Sequence, residues 1–218
     1  MKTKFLSGII SLMILSLCAC GSQTADKKAT QAPATTAPTV KATQKAEEKV
    51  PTENVIKAEL EMTDGGVIQI DLYPDVAPIS VENFIKLAEE GFYDNLIFHR
   101  VISGFMIQGG GFDESMQQKK AATIKGEFKA NGVTNGLKHT RGVLSMARTS
   151  QSMDSASSQF FIMHSEAPHL DGQYAAFGKV TAGLDIVDKI ASVKTGNANG
   201  MADVPQTPQV IRTIRILK

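Results

Sequence analysis

The chain has no tryptophan, and its two cysteines, Cys18 and Cys20, sit near the start of 218 residues. Everything after them must therefore stand without a disulfide framework or a thiolate metal centre. An excess of one charge is also missing. Seven basic residues face four acidic ones in 1–54, sixteen face eighteen in 55–218, and the formal charge is +1. That balance excludes the strongly basic face that nucleic acid demands. The apolar run from Phe5 to Leu17 is shorter than the ~20 residues of a spanning helix, and no later run replaces it. Residues 22–54 lack both glycine and aromatic side chains, which removes the means to form a core there.

What is present begins with Lys2 and Lys4 ahead of the apolar run, a secretory-signal pattern. It ends in "LCACGS", Leu17 to Ser22, which resembles the bacterial lipoprotein box: an aliphatic residue, two small ones, then the cysteine that takes the lipid. By that resemblance residues 1–19 are a signal peptide and Cys18 leaves with it. Cys20 becomes a diacylglyceryl-bearing N-terminus on the outer side of a bacterial cell membrane. A Cys18–Cys20 pair, or two idle thiols, is the other reading of the same residues. Residues 20–54, rich in Ala, Thr, Lys and Pro, are expected to form a flexible tether. Its coil span is roughly 30 Å and its stretched reach on the order of 110 Å.

Residues 55–218 read as one domain with a sizeable core. Ile56, Ala58, Leu60 and Met62 alternate with polar neighbours, "DGG" at 64–66 turns the chain, and Ile68, Ile70 and Leu72 alternate again. This predicts a β-hairpin. Pro78 opens a helical repeat through Val81, Phe84, Ile85 and Ala88, with Gly91 just past its end. The runs "LIFHRV", "FMIQGG", "GVLSMA", "QFFIMH" and "YAAFGKV" read as strands, and "QVIRTIRILK" as a closing strand. A second helix is predicted over Leu184 to Ser192, stopped by Gly196. Many short strands with two helices favour a sandwich or closed barrel over a doubly wound sheet.

Several chemistries have no support. Gly109, Gly110 and Gly111 are followed by a polar loop where a phosphate cradle needs a helix, so a turn or close backbone approach is expected. His99, His139, His164 and His169 never fall at zinc spacing. No G-x-S-x-G frames a serine nucleophile, and Ser150 to Gln159 reads as a surface loop. One stretch remains unexplained by folding alone. "FHRVISGFMIQGG", Phe98 to Gly110, is fit for a buried strand and turn yet carries Arg100 and Gln108. Burying an unpaired amide costs about 2–7 kcal/mol, and an unpaired charge more, so something polar is expected to meet them.

That stretch, with "GVLSMAR", "SSQFFIMH", "LDGQYAAFGKV" and "ENF", resembles the cyclophilin family of peptidyl-prolyl cis/trans isomerases, in order through essentially all of 55–218. The resemblance implies a mainly β fold, an eight-stranded antiparallel barrel capped by two α-helices, with its groove on the outer face. It implies an enzyme that speeds rotation of Xaa-Pro bonds, with no cofactor and no metal. Arg100 corresponds to the catalytic arginine, and Phe105, Met106, Phe161 and Leu170 to the pocket for the proline ring. Gln108 corresponds to the amide that binds the substrate backbone, and Gln159 to a second amide beside the groove. Ala147 and Arg148 match the segment that pairs with the substrate backbone, while His169 and Tyr174 border the pocket.

The departures are local. His169 stands where many members carry tryptophan, which removes an indole donor and with it the expectation of tight cyclosporin binding. Tyr174 replaces a histidine common in eukaryotic members, Arg148 replaces a commoner asparagine, and the loop 149–158 is slightly long. The partners expected are proline-containing polypeptides, unfolded exported proteins among them, with the membrane reached through the lipid, no nucleic acid, and a monomeric state. The alternative is a non-catalytic module that uses the same groove to bind proline-containing peptides.

Overall fold

The computed structural model describes residues 53–218. Cys18, Cys20 and the expected signal peptide lie outside the described residues, as does nearly all of the expected tether. The predicted hairpin forms from β1 (Ile56–Met62) and β2 (Val67–Leu72), joined by a turn in which Gly65 has φ +87°. Such an angle is cheap for glycine alone. The helix α1 (Pro78–Glu89) starts on its proline, and Gly91 at φ +63° follows Glu90 at its C-terminal end. Then come β3 (Leu96–Ile102), β4 (Met106–Asp113), β5 (Val143–Met146), β6 (Phe160–Met163) and β7 (Ala176–Ala182). The chain closes with α2 (Leu184–Ala191), β8 (Thr195–Ala198), β9 (Met201–Pro205) and β10 (Ile211–Leu217).

Eight strands form one antiparallel sheet in the order β10-β1-β2-β7-β5-β6-β4-β3. Its two edges meet, because Ile97 bridges Val210 and the Asn95 and Phe98 N–H groups donate to the Ile211 and Gln209 carbonyls at 2.9 Å. The sheet thus curls on itself, as the expected barrel requires, and hides the edges that would otherwise invite pairing. Two details differ from the sequence reading. β8 and β9 form a separate hairpin where no element was expected, and Gly196 lies inside it. α2 instead ends on Ser192 in a right-handed conformation, the Ser192 N–H donating to the Lys189 carbonyl and the Val193 N–H to the Ile190 carbonyl, each at 3.3 Å.

The curl encloses one large apolar cluster to which both helices contribute, Val81, Phe84, Leu87 and Ala88 from α1 and Val187, Ile190 and Ala191 from α2. Without tryptophan, the bulk is supplied by smaller rings. Phe160 receives Phe84 and Tyr93 edge-on at 5.4 and 5.7 Å, an arrangement that suits the ring quadrupoles. Tyr93, fully buried, satisfies its hydroxyl by donating to the Ser158 carbonyl at 3.2 Å.

The start of α1 shows how a distant residue completes an element. Ala77 at the N-cap offers no side-chain acceptor. Buried Glu127 takes its place, accepting the Ile79 N–H at 3.0 Å and the Ser80 N–H and hydroxyl at 2.7 Å each. A carboxylate on the free donors at a helix N-terminus also meets the positive end of the macrodipole.

Candidate active site

Arg100, Gln108, Phe161 and Ser145 lie opposite one another on four neighbouring strands: Arg100 faces Gln108, Gln108 faces Phe161, and Ser145 faces Phe161. Residues in register share a face of a sheet. Arg100 reaches that outer face through an irregularity. Phe98 and Arg100 are two apart and would normally share a side, yet Phe98 is fully buried in the main core. The pairing advances from Phe98–Gly109 to Arg100–Gln108, two steps on β3 against one on β4, so His99 is the extra residue of a bulge. It turns Arg100 outward.

Opposite β3, the glycines permit the approach expected of them. A Cβ on Gly109 would stand 2.9 Å from the Phe98 ring, one on Gly110 2.9 Å from the Ser158 carbonyl, and one on Gly111 2.5 Å from Gln159 Cγ. Gln159 can therefore lie against β4, where its Oε1 accepts from Gln108 Nε2 at 3.0 Å. The two amides hold each other, and Gln108 is left with its carbonyl oxygen to offer to a ligand.

A pocket of about 360 Å³ opens on this face, with Arg100 and Gln108 on its wall. Phe105, Met106, Phe161 and Leu170 give it an apolar lining, and Ala147, Arg148, His169 and Tyr174 complete it. Met106 is 2% exposed, Phe161 5% and Leu170 8%, so the floor is the outer skin of a second apolar cluster and counts as core and pocket at once. Phe105 stacks on His169 at 5.8 Å, and Tyr174 meets Phe161 edge-on at the same separation. Gln159 lies outside this lining and borders an adjoining cavity of about 120 Å³. The sequence-predicted residues of the domain are thus gathered in one place.

Arg100 is held loosely. Its side chain is 43% exposed, Asp203 of β9 stands 3.8 Å from its Nε, and it makes no hydrogen bond to any described residue. All five guanidinium donors remain available. The Ala147 N–H is already committed to the Gln159 carbonyl at 2.9 Å, so this segment would meet a ligand through its remaining backbone groups.

Sequence reasoning missed the supports. Ser145 Oγ lies 3.1 Å from His139 Nε2, and His139 Nδ1 lies 3.1 Å from Asp171 Oδ1. Burial raises the Asp171 carboxyl, and bonds from His139 and Lys138 outweigh it and bring the group below its usual value. The ionised carboxylate accepts a hydrogen bond from the Nδ1–H, and Nε2 accepts one from the Ser145 hydroxyl. This array resembles a hydrolytic triad in order only, since Ser145 is fully buried and no substrate carbonyl can reach it. It lies behind Phe161, on which the His139 ring stacks at 6.1 Å. His164 pins the β3–β4 turn: its Nδ1 accepts the Gly104 N–H at 2.8 Å, and its own N–H donates to the Phe105 carbonyl at 2.9 Å. No local spacing announces the set: Ser145 is six residues from His139, but Asp171 is 32 from His139 and His164 is 60 from Gly104.

A larger recess, about 500 Å³, opens between the β1–β2 turn, α2 and residues 206–210. Its Lys189 and Asp64 are paired with each other at 2.6 Å, whereas the smaller pocket sets uncommitted donors beside an apolar floor. The smaller one has the features of a recognition site.

Comparison with known proteins agrees with this geometry. The family described as cyclophilin type peptidyl-prolyl cis-trans isomerase/CLD matches residues 57–216. Peptidyl-prolyl cis-trans isomerase A of Dickeya dadantii (strain 3937) is 46% identical over 162 residues, 72% of this chain and 82% of that protein. Peptidyl-prolyl cis-trans isomerase B of Escherichia coli (strain K12) is 45% identical over 162 residues, 71% of this chain and 96% of that protein. Among solved structures, a cyclophilin type peptidyl-prolyl cis-trans isomerase of Cryptosporidium parvum, crystallised in the presence of the dipeptide Ala-Pro, superposes with a TM-score of 0.62. It is 28% identical, and the match covers 74% of this chain and 99% of that one.

Buried His99 supplies a pH signature of the bulge. Burial pushes its imidazole down from 6.5 to about 4, with the Gln159 amide opposing and the Arg100 charge adding to the effect. The unfolded chain takes up this proton near pH 6.5 and the folded one near 4. Stability is therefore complete above the first value, falls as the pH drops between the two, and loses on the order of 3 kcal/mol in all. Denaturant midpoints measured from pH 7.5 to 4 should decline over that window, and the decline should flatten in His99→Gln.

Proposed function

The chain belongs to the cyclophilin-type peptidyl-prolyl cis-trans isomerases, enzymes of Xaa-Pro bond rotation, and on that premise we propose that Arg100 is the catalytic group. The observation that carries this reading is the guanidinium of Arg100, free of hydrogen bonds to the described residues, in register with Gln108 and beside the apolar floor of Phe105, Met106, Phe161 and Leu170.

Amide resonance sets a rotational barrier of about 18–20 kcal/mol. At Xaa-Pro bonds both planar isomers are populated, and they interconvert over tens to hundreds of seconds. Midway through rotation resonance is lost and the prolyl nitrogen gains a lone pair. A guanidinium N–H donated to that nitrogen stabilises the twisted form more than either planar form, which is the requirement for catalysis. Phe105, Met106, Phe161 and Leu170 hold the proline ring, with His169 and Tyr174 at the rim. Gln108, steadied by Gln159, and the backbone of Ala147 and Arg148 hold the flanking chain, so the intervening bond is the part left to turn. No bond is made or broken.

The biological setting follows from the N-terminal residues. Lys2, Lys4, the run from Phe5 to Leu17 and the cysteine of "LCACGS" support export and lipidation at Cys20. More than one acyl chain gives a stable hold on a membrane where a single chain does not. The enzyme then acts as a tethered monomer on the outer side of a bacterial membrane, on proline-containing segments of exported proteins. Prolyl isomerisation is slow enough to limit their folding.

Two measurements test these assignments. Cis/trans exchange of a short Ala-Xaa-Pro-Phe peptide, followed by NMR, should be fast with the native protein and about a hundredfold slower with Arg100→Ala, while the peptide still binds. Arg100→Lys should fall between, because lysine lacks the fork of donors. Binding without acceleration by the native protein would instead identify a peptide-holding module. Separately, Cys20→Ala should move the protein from the membrane to the soluble fraction of expressing bacteria; retention in the membrane fraction would sink the lipid anchor.

A further inference from the structure

Arg148 borders two spaces at once, the 360 Å³ pocket and the adjoining 120 Å³ cavity. Its guanidinium is fixed. Nε donates to the Gln173 carbonyl and Nη1 to the Thr149 carbonyl, each at 3.0 Å, and the group lies over Tyr174 at 4.7 Å and Phe128 at 5.2 Å. Both bonds go to neutral carbonyls, and among the described residues no carboxylate pairs with it. Nη2 has no hydrogen-bond partner there.

The rest of the smaller cavity is uncharged: Gln108, Ala147, Thr149, Ser155, Ser157 and Gln159. No acidic residue lines either space. Asp154, in the same loop as Ser155, is spent elsewhere, accepting the Gly126 N–H at 2.9 Å and Asn131 Nδ2 at 2.7 Å. Asp203 lies 3.8 Å from Arg100 and lines neither space. The result is a rigid, uncompensated cation facing a small polar cavity. The Thr149 and Ser155 hydroxyls there already donate to Ser155 Oγ and the Ser152 carbonyl, which leaves the Ser157 hydroxyl and the remaining amide N–H groups of Gln108 and Gln159 to serve a carboxylate's other lone pairs. Such a wall attracts an anion and repels a lysine or arginine.

We propose that Arg148 makes this enzyme select substrates carrying an aspartate or glutamate next to the Xaa-Pro pair, on the flank that runs past Ala147 and Arg148. The inference rests on the isomerase reading of the same groove. Its parts are preorganised: a guanidinium already locked by two bonds and two rings loses little freedom when a carboxylate arrives. Because the side chain is only partly buried, the preference weakens as salt rises.

The test compares peptides of one length that differ at a single residue, Glu, Gln or Lys, set before the Xaa-Pro pair in one series and after it in another. Exchange rates by NMR at low salt should give the Glu peptide about a fivefold higher kcat/KM than the Gln peptide on one flank, with Lys lowest. In Arg148→Gln that ratio should fall to one, and in Arg148→Lys part of it should remain. Equal rates for Glu and Gln on both flanks, or an undiminished ratio in Arg148→Gln, would overturn the proposal. If no peptide were exchanged at all, the isomerase reading would fall by itself. Dissociation constants for the same peptides would then decide the charge preference, tighter Glu binding supporting it and equal binding overturning it.

Discussion

The bulge at His99 is the constraint on which the site depends. A strand of regular alternation would send Arg100 to the side that Phe98 occupies, into the aromatic core, where an unpaired guanidinium cannot stay. One extra residue in β3 lets Phe98 anchor the core and Arg100 leave it. The cost falls on His99, buried at 3% exposure with no hydrogen-bond partner for its Nδ1 among the described residues and its ring packed 4.7 Å from Phe112. A local defect in pairing thus converts a core strand into a working surface.

Around that defect the structure holds its ligand-facing groups from behind. Gly111 makes room for Gln159, Gln159 holds Gln108, the Ser145–His139–Asp171 series backs Phe161, and His164 fixes the turn that carries Phe105. Each partner lies on a different element. Rotation of a prolyl bond needs its two ends held while the middle turns, so precision in the lining matters more than any reactive group.

Much of this was legible in the sequence, for identifiable reasons. The first hairpin and α1 carry their own punctuation, glycine in the turn, proline at the helix start and glycine past its end. Arg100 and Gln108 stood out because an apolar run has no other use for them, and the ordered motif joined them to Phe161, Leu170 and Tyr174. The β8–β9 hairpin was not legible. "TGNANGMADVP" has little apolar alternation, and the turn is made by Asn199 and Gly200 at positive φ within a stretch of small polar residues. Nor could periodicity place Asp203 beside Arg100, or bring Ser145, His139 and Asp171 together, since those contacts exist only once the sheet has curled. The triple glycine reads in the sequence as a turn or a close approach; the glycines lie inside β4 and serve the approach, and what approaches, the Phe98 ring, Ser158 and Gln159, needed the fold.

The central claim is that the outer face of β3, β4 and β6, and not the larger recess beside α2, is where a prolyl peptide binds. An amide-resolved NMR titration of the protein with an Ala-Pro-containing peptide tests it most directly. The account predicts saturable shifts at Arg100, Gln108, Arg148 and Leu170, with Thr63, Lys189 and Gln206 unmoved. Shifts confined to those last three residues would contradict it.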